Sequence, residues 1–137
     1  MQYLTTKEKQ MLMSMQYRTH NDTKNIDVTG TSLRGTIDCS FDQLVKAFGM
    51  PMFDTSGDEK VKAEWHIEFD DGTIATIYDW KSLIDPEKNT DWHIGGFAKG
   101  NPKDNVLSVL ALIALDNVPI DNDTTLKAVL EFSPLAH

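Results

Sequence analysis

Val61-Lys62-Ala63-Glu64-Trp65-His66-Ile67-Glu68-Phe69, then Asp70-Asp71-Gly72-Thr73, then Ile74-Ala75-Thr76-Ile77-Tyr78-Asp79-Trp80 is the stretch on which the fold turns. Apolar and polar residues alternate on both sides of Asp71-Gly72, the pattern of two pleated strands joined by a tight turn. Asp-Gly suits a two-residue turn whose backbone needs positive φ, and the β-branched and aromatic residues suit the strands. That turn sets Glu64 opposite Asp79. One face then carries Val61, Ala63, Trp65, Ile67 and Phe69 beside Ile74, Thr76, Tyr78 and Trp80, and reads as a core face. The other carries Lys62, Glu64, His66, Ala75, Ile77, Asp79 and Lys81, where charges stay wet or line a site. A three-residue loop with Gly72 as a bulge residue would shift the second strand by one and mix the faces. Apolar segregation favours the two-residue turn.

Working outward, Ser40-Phe41-Asp42-Gln43 has the spacing of a capping box, and Phe41, Leu44, Val45 and Phe48 fall on one helical stripe. Gly49 and Pro51 stop it, which predicts a helix over about 41–48. Thr31 to Cys39 reads as a strand in which Gly35 marks a bulge or a close approach. Asp91 to Phe97 reads as a short strand extending the same antiparallel sheet. Pro102 fits the first turn of a helix capped by Asn101 and running to about Leu115, apolar enough to be buried on several sides. Residues 54–59 and 82–89 read as loops. Thr5-Thr6-Lys7-Glu8 opens a methionine-rich helix over about 6–17, which either packs on the sheet or serves as a partner-binding arm. Asp123 caps a last helical segment carrying Leu126, Val129 and Leu130. The sum is α+β: an antiparallel meander of four or more strands with helices packed on one face. One domain spans residues 1–137, with 1–30 as a partly mobile N-terminal arm.

A chain of 137 residues with 40% hydrophobic and 25% charged residues is long enough to bury a real core in one domain. Its net charge of −8 and pI near 4.8 argue against direct nucleic-acid binding, which draws on clustered Lys and Arg. Arg18 and Arg34 are the only arginines. A lone Cys39 makes no internal disulfide, no secretion signal is recognisable, and the longest apolar run, Val106 to Leu115, falls far short of the roughly 20 residues that span a bilayer. These features point to a reducing, intracellular compartment without membrane attachment.

The four histidines, at 20, 66, 93 and 137, lack the spacing that brings metal ligands together, so no metal or cofactor is expected. No catalytic residue is assigned. Cys39, just before the helix at 41–48, reads as a small packed residue, with thiolate reactivity the alternative. Glu64, His66 and Asp79 form either a solvated ion network with Lys62 and Lys81 or an acid/base cluster, so whether the chain is an enzyme stays open. Gly95-Gly96-Phe97-Ala98-Lys99-Gly100-Asn101-Pro102-Lys103 offers flexible glycines ahead of a helix start, where amides and lysines converge on an anion. Trp92 and His93 precede it. The ligand-binding set read from these features is Trp92, His93, Gly95, Gly96 and Lys99, with Arg34 and Lys81 beside them: aromatics to stack on a base, and amides and cations to hold phosphate.

Phe48-Gly49-Met50-Pro51, Glu64-Trp65-His66-Ile67-Glu68-Phe69, Asp71-Gly72-Thr73-Ile74-Ala75-Thr76-Ile77-Tyr78-Asp79-Trp80-Lys81 and Trp92-His93-Ile94-Gly95-Gly96, in that order, are similar to a family of small accessory proteins of tailed bacteriophages. The similarity covers about residues 31–115. Within that class the chain resembles the anti-Thoeris sponge proteins. The resemblance implies an oligomer in the host cell cytoplasm that sequesters a nucleotide-derived immune signal of the cyclic ADP-ribose kind without cleaving it. The rival reading is a protein-directed inhibitor in which Asp54, Asp58, Glu59, Asp70 and Asp71 present a polyanion-like surface to a basic host enzyme.

Overall fold

The computed structural model describes residues 17–21 and 26–116. Among these residues, six strands form one antiparallel sheet: β1 (Tyr17–Thr19), β2 (Ser32–Asp38), β3 (Met52–Phe53), β4 (Ala63–Phe69), β5 (Ile74–Tyr78) and β6 (Asp91–Gly96). Their order across the sheet is β1-β4-β5-β6-β2, and β3 also pairs with β4. β1 meets the end of β4 at Phe69 to Ile67 and β3 meets its beginning at Glu64 and Ala63, so the two short strands share the edge that β5 leaves open. Helices α1 (Phe41–Phe48) and α2 (Pro102–Asp116) pack against one face of the sheet and against each other. This is the expected α+β architecture. Among the described residues, no helix is long and apolar enough to cross a membrane.

α1 begins where its capping box places it. Ser40 Oγ accepts from Gln43 N at 3.1 Å, and Gln43 Oε1 accepts from Ser40 N at 2.8 Å, so two donors that a helix start would orphan are satisfied reciprocally. Gly49, at φ +78°, closes the other end by donating to the Val45 carbonyl. The 41–44–48 stripe is buried on the sheet. A bulge between Leu33 and Gly35 interrupts the β2–β6 ladder, and Gly35 lets the Lys103 stem of α2 cross it. The expected helix over 6–17 lies outside the described residues except for Tyr17, which opens β1 instead. β1 falls within the stretch expected as an arm, and the Tyr17 hydroxyl donates to the Ala47 carbonyl at 2.6 Å. The helical segment at Asp123 also lies outside the described residues. The 82–89 loop contains one 3-10 turn, Pro86–Lys88.

The hairpin register differs from the expected one. Glu64 pairs with Tyr78, Trp65 with Ile77 and Ile67 with Ala75. The loop has three residues, Asp70 to Gly72: Gly72 N donates to the Phe69 carbonyl, Phe69 N donates to the Thr73 carbonyl, and Gly72 takes φ +88° as the bulge residue. Asp71 Oδ1 accepts from Thr73 N at 2.8 Å and stiffens the turn. The one-residue shift moves every β5 side chain to the opposite face. Ala75 and Ile77, not Thr76 and Tyr78, meet the helices, and all four of Trp65, Ile67, Ala75 and Ile77 are fully buried.

Asp79 follows them inward. Its Oδ1 accepts from the Lys62 and Ala63 amides at 2.8 and 3.1 Å, stapling the start of β4 to the end of β5. Trp65 and Trp92 meet edge to face at 5.3 Å between centroids, with Phe41 against both. Their indole N–H groups donate to the Gly49 and Cys39 carbonyls. Each indole removes roughly 200 Å² from water, a contribution of about 5 kcal/mol, while its polar end stays bonded.

Candidate functional site: a groove on the second sheet face

Strand alternation leaves Glu64, His66, Thr76, Tyr78 and His93 on the face turned away from α1 and α2. Two further segments wall that face. The 26–31 turn is held by Thr31, whose amide and hydroxyl both donate to the Val28 carbonyl, and by Asp27 Oδ1 accepting from Thr29 N at 2.9 Å. The 54–62 connection brings Thr55 and Val61. Between them lies a cavity of about 400 Å³ bordered by Tyr78, Trp80, His93, Leu33, Val61 and Gly95, among others. A second cavity of about 600 Å³, bordered by His66, Thr55 and Asp27, shares Val28, Val61 and Glu64 with the first. The two form one groove with Glu64 at their junction.

Glu64 is held on both sides. Thr55 Oγ1 donates to Oε1 at 2.6 Å, and His66 Nε2 lies 2.5 Å from Oε2. His66 is 4% exposed, and its Nδ1 has no hydrogen-bond partner. The Tyr78 and His93 rings lie 5.5 Å apart at 57°. Burial raises the Tyr78 pKa and the negative charge of Glu64 raises it further, so the phenol stays neutral and able to donate. Trp80 is 45% exposed at the rim with Lys81 Nζ 5.4 Å from its ring centroid. Gly95 forms part of the floor: a Cβ there would lie 2.4 Å from Thr76 Oγ1 and 3.3 Å from the Tyr78 ring.

The expected ligand set is divided by this geometry. His93 and Gly95 border the groove, and Lys81 reaches its rim through Trp80. Trp92 does not: it is fully buried among Phe41 and Trp65, because alternation along β6 sends it inward while His93 faces outward. Gly96 lies on the helix side, where a Cβ would meet Pro102 at 2.7 Å, and both glycines belong to β6 rather than to a flexible loop. Arg34 donates to the Phe97 and Gly100 carbonyls and fastens the β6–α2 connection.

Lys99 borders a separate cavity of about 180 Å³ near the start of α2. The Asp71 carboxylate also borders it and accepts from Asn105 Nδ2 at 3.0 Å. Although burial alone would raise the Asp71 pKa, the hydrogen bonds from Asn105 and Thr73 outweigh it and hold the pKa below the usual carboxylate value. A carboxylate of the chain therefore already occupies the place expected for a bound anion.

The other candidate sets also separate. Glu64 and His66 touch, but Asp79 is on the helix side of the sheet. Burial, with Asp38 adding to it, pushes the Cys39 thiol up to about 12, leaving a packed, unreactive group. Asp54, Asp58 and Glu59 precede β4 whereas Asp70 and Asp71 follow it, so these acids lie at opposite ends of a seven-residue strand. Among the described residues, no group of three or more His, Cys, Asp or Glu side chains is placed to hold a metal ion. Neither a family model nor a curated protein matches the chain.

Tyr78, Trp80, Thr55 and the 26–31 turn are among the groove residues outside the expected ligand set, Tyr78 and Trp80 because the expected register places them on the core face. The parity of β5 held the missing signal. Ala75, Ile77 and Asp79 occupy alternate positions after Gly72, and placing the two apolar ones inward sends Tyr78 and Trp80 outward.

Proposed function

We propose that this chain is a noncatalytic binding protein that holds a nucleotide-derived small molecule in the groove on the second sheet face, with its base against Tyr78, Trp80 and His93. The observation that carries this reading is the 400 Å³ cavity with three aromatic side chains around a glycine floor. Its volume suits a ligand of nucleoside size, and a largely apolar lining with a few fixed polar groups is the usual make-up of a small-molecule site. The likeness to phage anti-defence sponges supplies the biological reading: sequestration of a host immune signal. Asp79 lies on the helix side of the sheet, apart from Glu64 and His66, which favours binding over hydrolysis by that trio.

Titration calorimetry against cyclic nucleotides and cyclic ADP-ribose isomers tests the proposal. A bound member of that panel is expected to be recovered chemically intact when the protein is heat-denatured. Tyr78→Ala is expected to weaken binding at least about tenfold, through the loss of one aromatic wall. Absence of heat with every member, or recovery of a converted product, defeats the reading.

A further inference from the structure

The two cavities of the groove differ in chemistry. The rings of Tyr78, Trp80 and His93 all border the smaller one, whereas none of them borders the larger. Among the described residues, the larger is walled by Ile26, Val28 and Val61 together with two carboxylates, three hydroxyls and the His66 imidazole. Flat stacking surface is therefore confined to one compartment, and the other is mostly polar.

The polar groups of the larger cavity are of mixed kind. Asp27 is an anion, held below the usual carboxylate value by the amide and hydroxyl of Thr29. Its Oδ1 accepts from the Thr29 amide at 2.9 Å, and a carboxylate accepts about four hydrogen bonds in all, so lone pairs remain. Thr55 gives its proton to Glu64, which leaves the hydroxyl oxygen as an acceptor. His66 is 4% exposed, and its Nδ1 has no partner among the described residues. That nitrogen is a donor or an acceptor according to where the ring carries its proton. A ligand hydroxyl satisfies it in either form, because it both donates and accepts, whereas an ammonium or a carbonyl satisfies only one.

Two hydroxyls on adjacent carbons also suit a carboxylate, whose two oxygens accept one proton each. Ribose carries such a pair joined through a single bond to a base, and the shared border at Val28, Val61 and Glu64 lets the two units occupy neighbouring compartments.

We propose that the larger cavity is a sugar compartment: it reads the 2′- and 3′-hydroxyls of a ribose through Asp27 and His66 while the attached base lies in the smaller one. This rests on the binding role proposed above for the same groove and names the part of the ligand that the second cavity selects. Ribonucleosides are then preferred over their deoxy forms.

Calorimetry with adenosine, guanosine, cytidine and uridine, each beside its 2′-deoxy and 3′-deoxy forms, tests it, with the cyclic ADP-ribose isomers run on the same protein. At least one ribonucleoside is expected to bind, and to bind at least about tenfold more tightly than either deoxy form. Asp27→Asn is expected to reduce that preference to less than about threefold, since the amide still accepts from Thr29 but presents a single acceptor oxygen. Tyr78→Ala is expected to weaken the ribo and deoxy forms equally, because it removes a wall of the other compartment. The deoxy comparison uses the unaltered protein, so it decides the matter even where a variant fails to fold.

Deoxynucleosides that bind within about threefold of their ribonucleosides overturn the inference and leave the groove as a site for the base alone. Binding of a cyclic ADP-ribose isomer without binding of any nucleoside also overturns it, while the proposed function stands. Failure of every member to bind overturns both.

Discussion

Gly95 is the residue whose absence of a side chain most directly shapes the groove. A Cβ there would sit 2.4 Å from Thr76 Oγ1, closer than nonbonded atoms approach, and would press on the Tyr78 ring. Thr76 can turn its hydroxyl aside only by moving within a buried position. Gly95→Ala is therefore expected to cost about 1–2 kcal/mol of stability, measured by denaturant titration, and to reduce ligand affinity at least about tenfold as the floor rises. Gly96 makes a useful control, because its neighbours Pro102 and the Ile74 carbonyl lie on the helix side. Gly96→Ala is expected to destabilise the protein without selective loss of binding. Asp79 shows the same division of labour in a charged residue. Its carboxylate belongs to the hairpin, where it replaces strand hydrogen bonds for two amides, and so is structural despite its position one residue after Tyr78.

Between β4 and β5, a three-residue loop decides which side chains face water. Gly72 takes φ +88° with open space around its Cβ position, so Gly72→Ala is expected to cost about 1 kcal/mol through backbone strain alone, and Gly72→Asn less. Chemical denaturation of the two variants checks that order. The hairpin itself was legible in the sequence, as was α1, because alternation and a capping box are local signals. The register was not, since Asp71-Gly72 fits either loop and the choice rests on whether Ala75 and Ile77 or Thr76 and Tyr78 contact the helices. β1 and β3, with three and two residues, are too short to display an alternation. Trp92 was misleading for a related reason: Asp91 and His93 on either side look like surface, yet strand neighbours point to opposite faces, so polar flanks say nothing against burial. Of the expected site, His93, Gly95 and Lys81 gather at the groove and its rim, while Arg34 is held by the Phe97 and Gly100 carbonyls, Lys99 borders the separate cavity near the start of α2, and Gly96 packs toward Pro102.

The molecule as a whole presents a helix-covered face that carries stability and a second face that carries the groove. Several groups tie its stability to alkaline pH. The Cys39 pKa is raised from 9.0 to about 12 by burial, so the folded state favours the neutral thiol. Its contribution is complete below pH 9.0 and is lost as pH rises toward 12. Tyr17 and Tyr78, raised from 10.0, act in the same direction. Stability is expected to fall above pH 9.0, and Cys39→Ala is expected to make that fall shallower in denaturation midpoints compared across the range. The tryptophans follow the same two-sided plan, with Trp65 and Trp92 sealed in the core and Trp80 at the rim. Their emission should therefore separate into a blue component that changes only on unfolding and a red component, removed by Trp80→Phe, that responds to occupancy. The chain thus contains an optical reporter for the ligand proposed above and needs no attached dye.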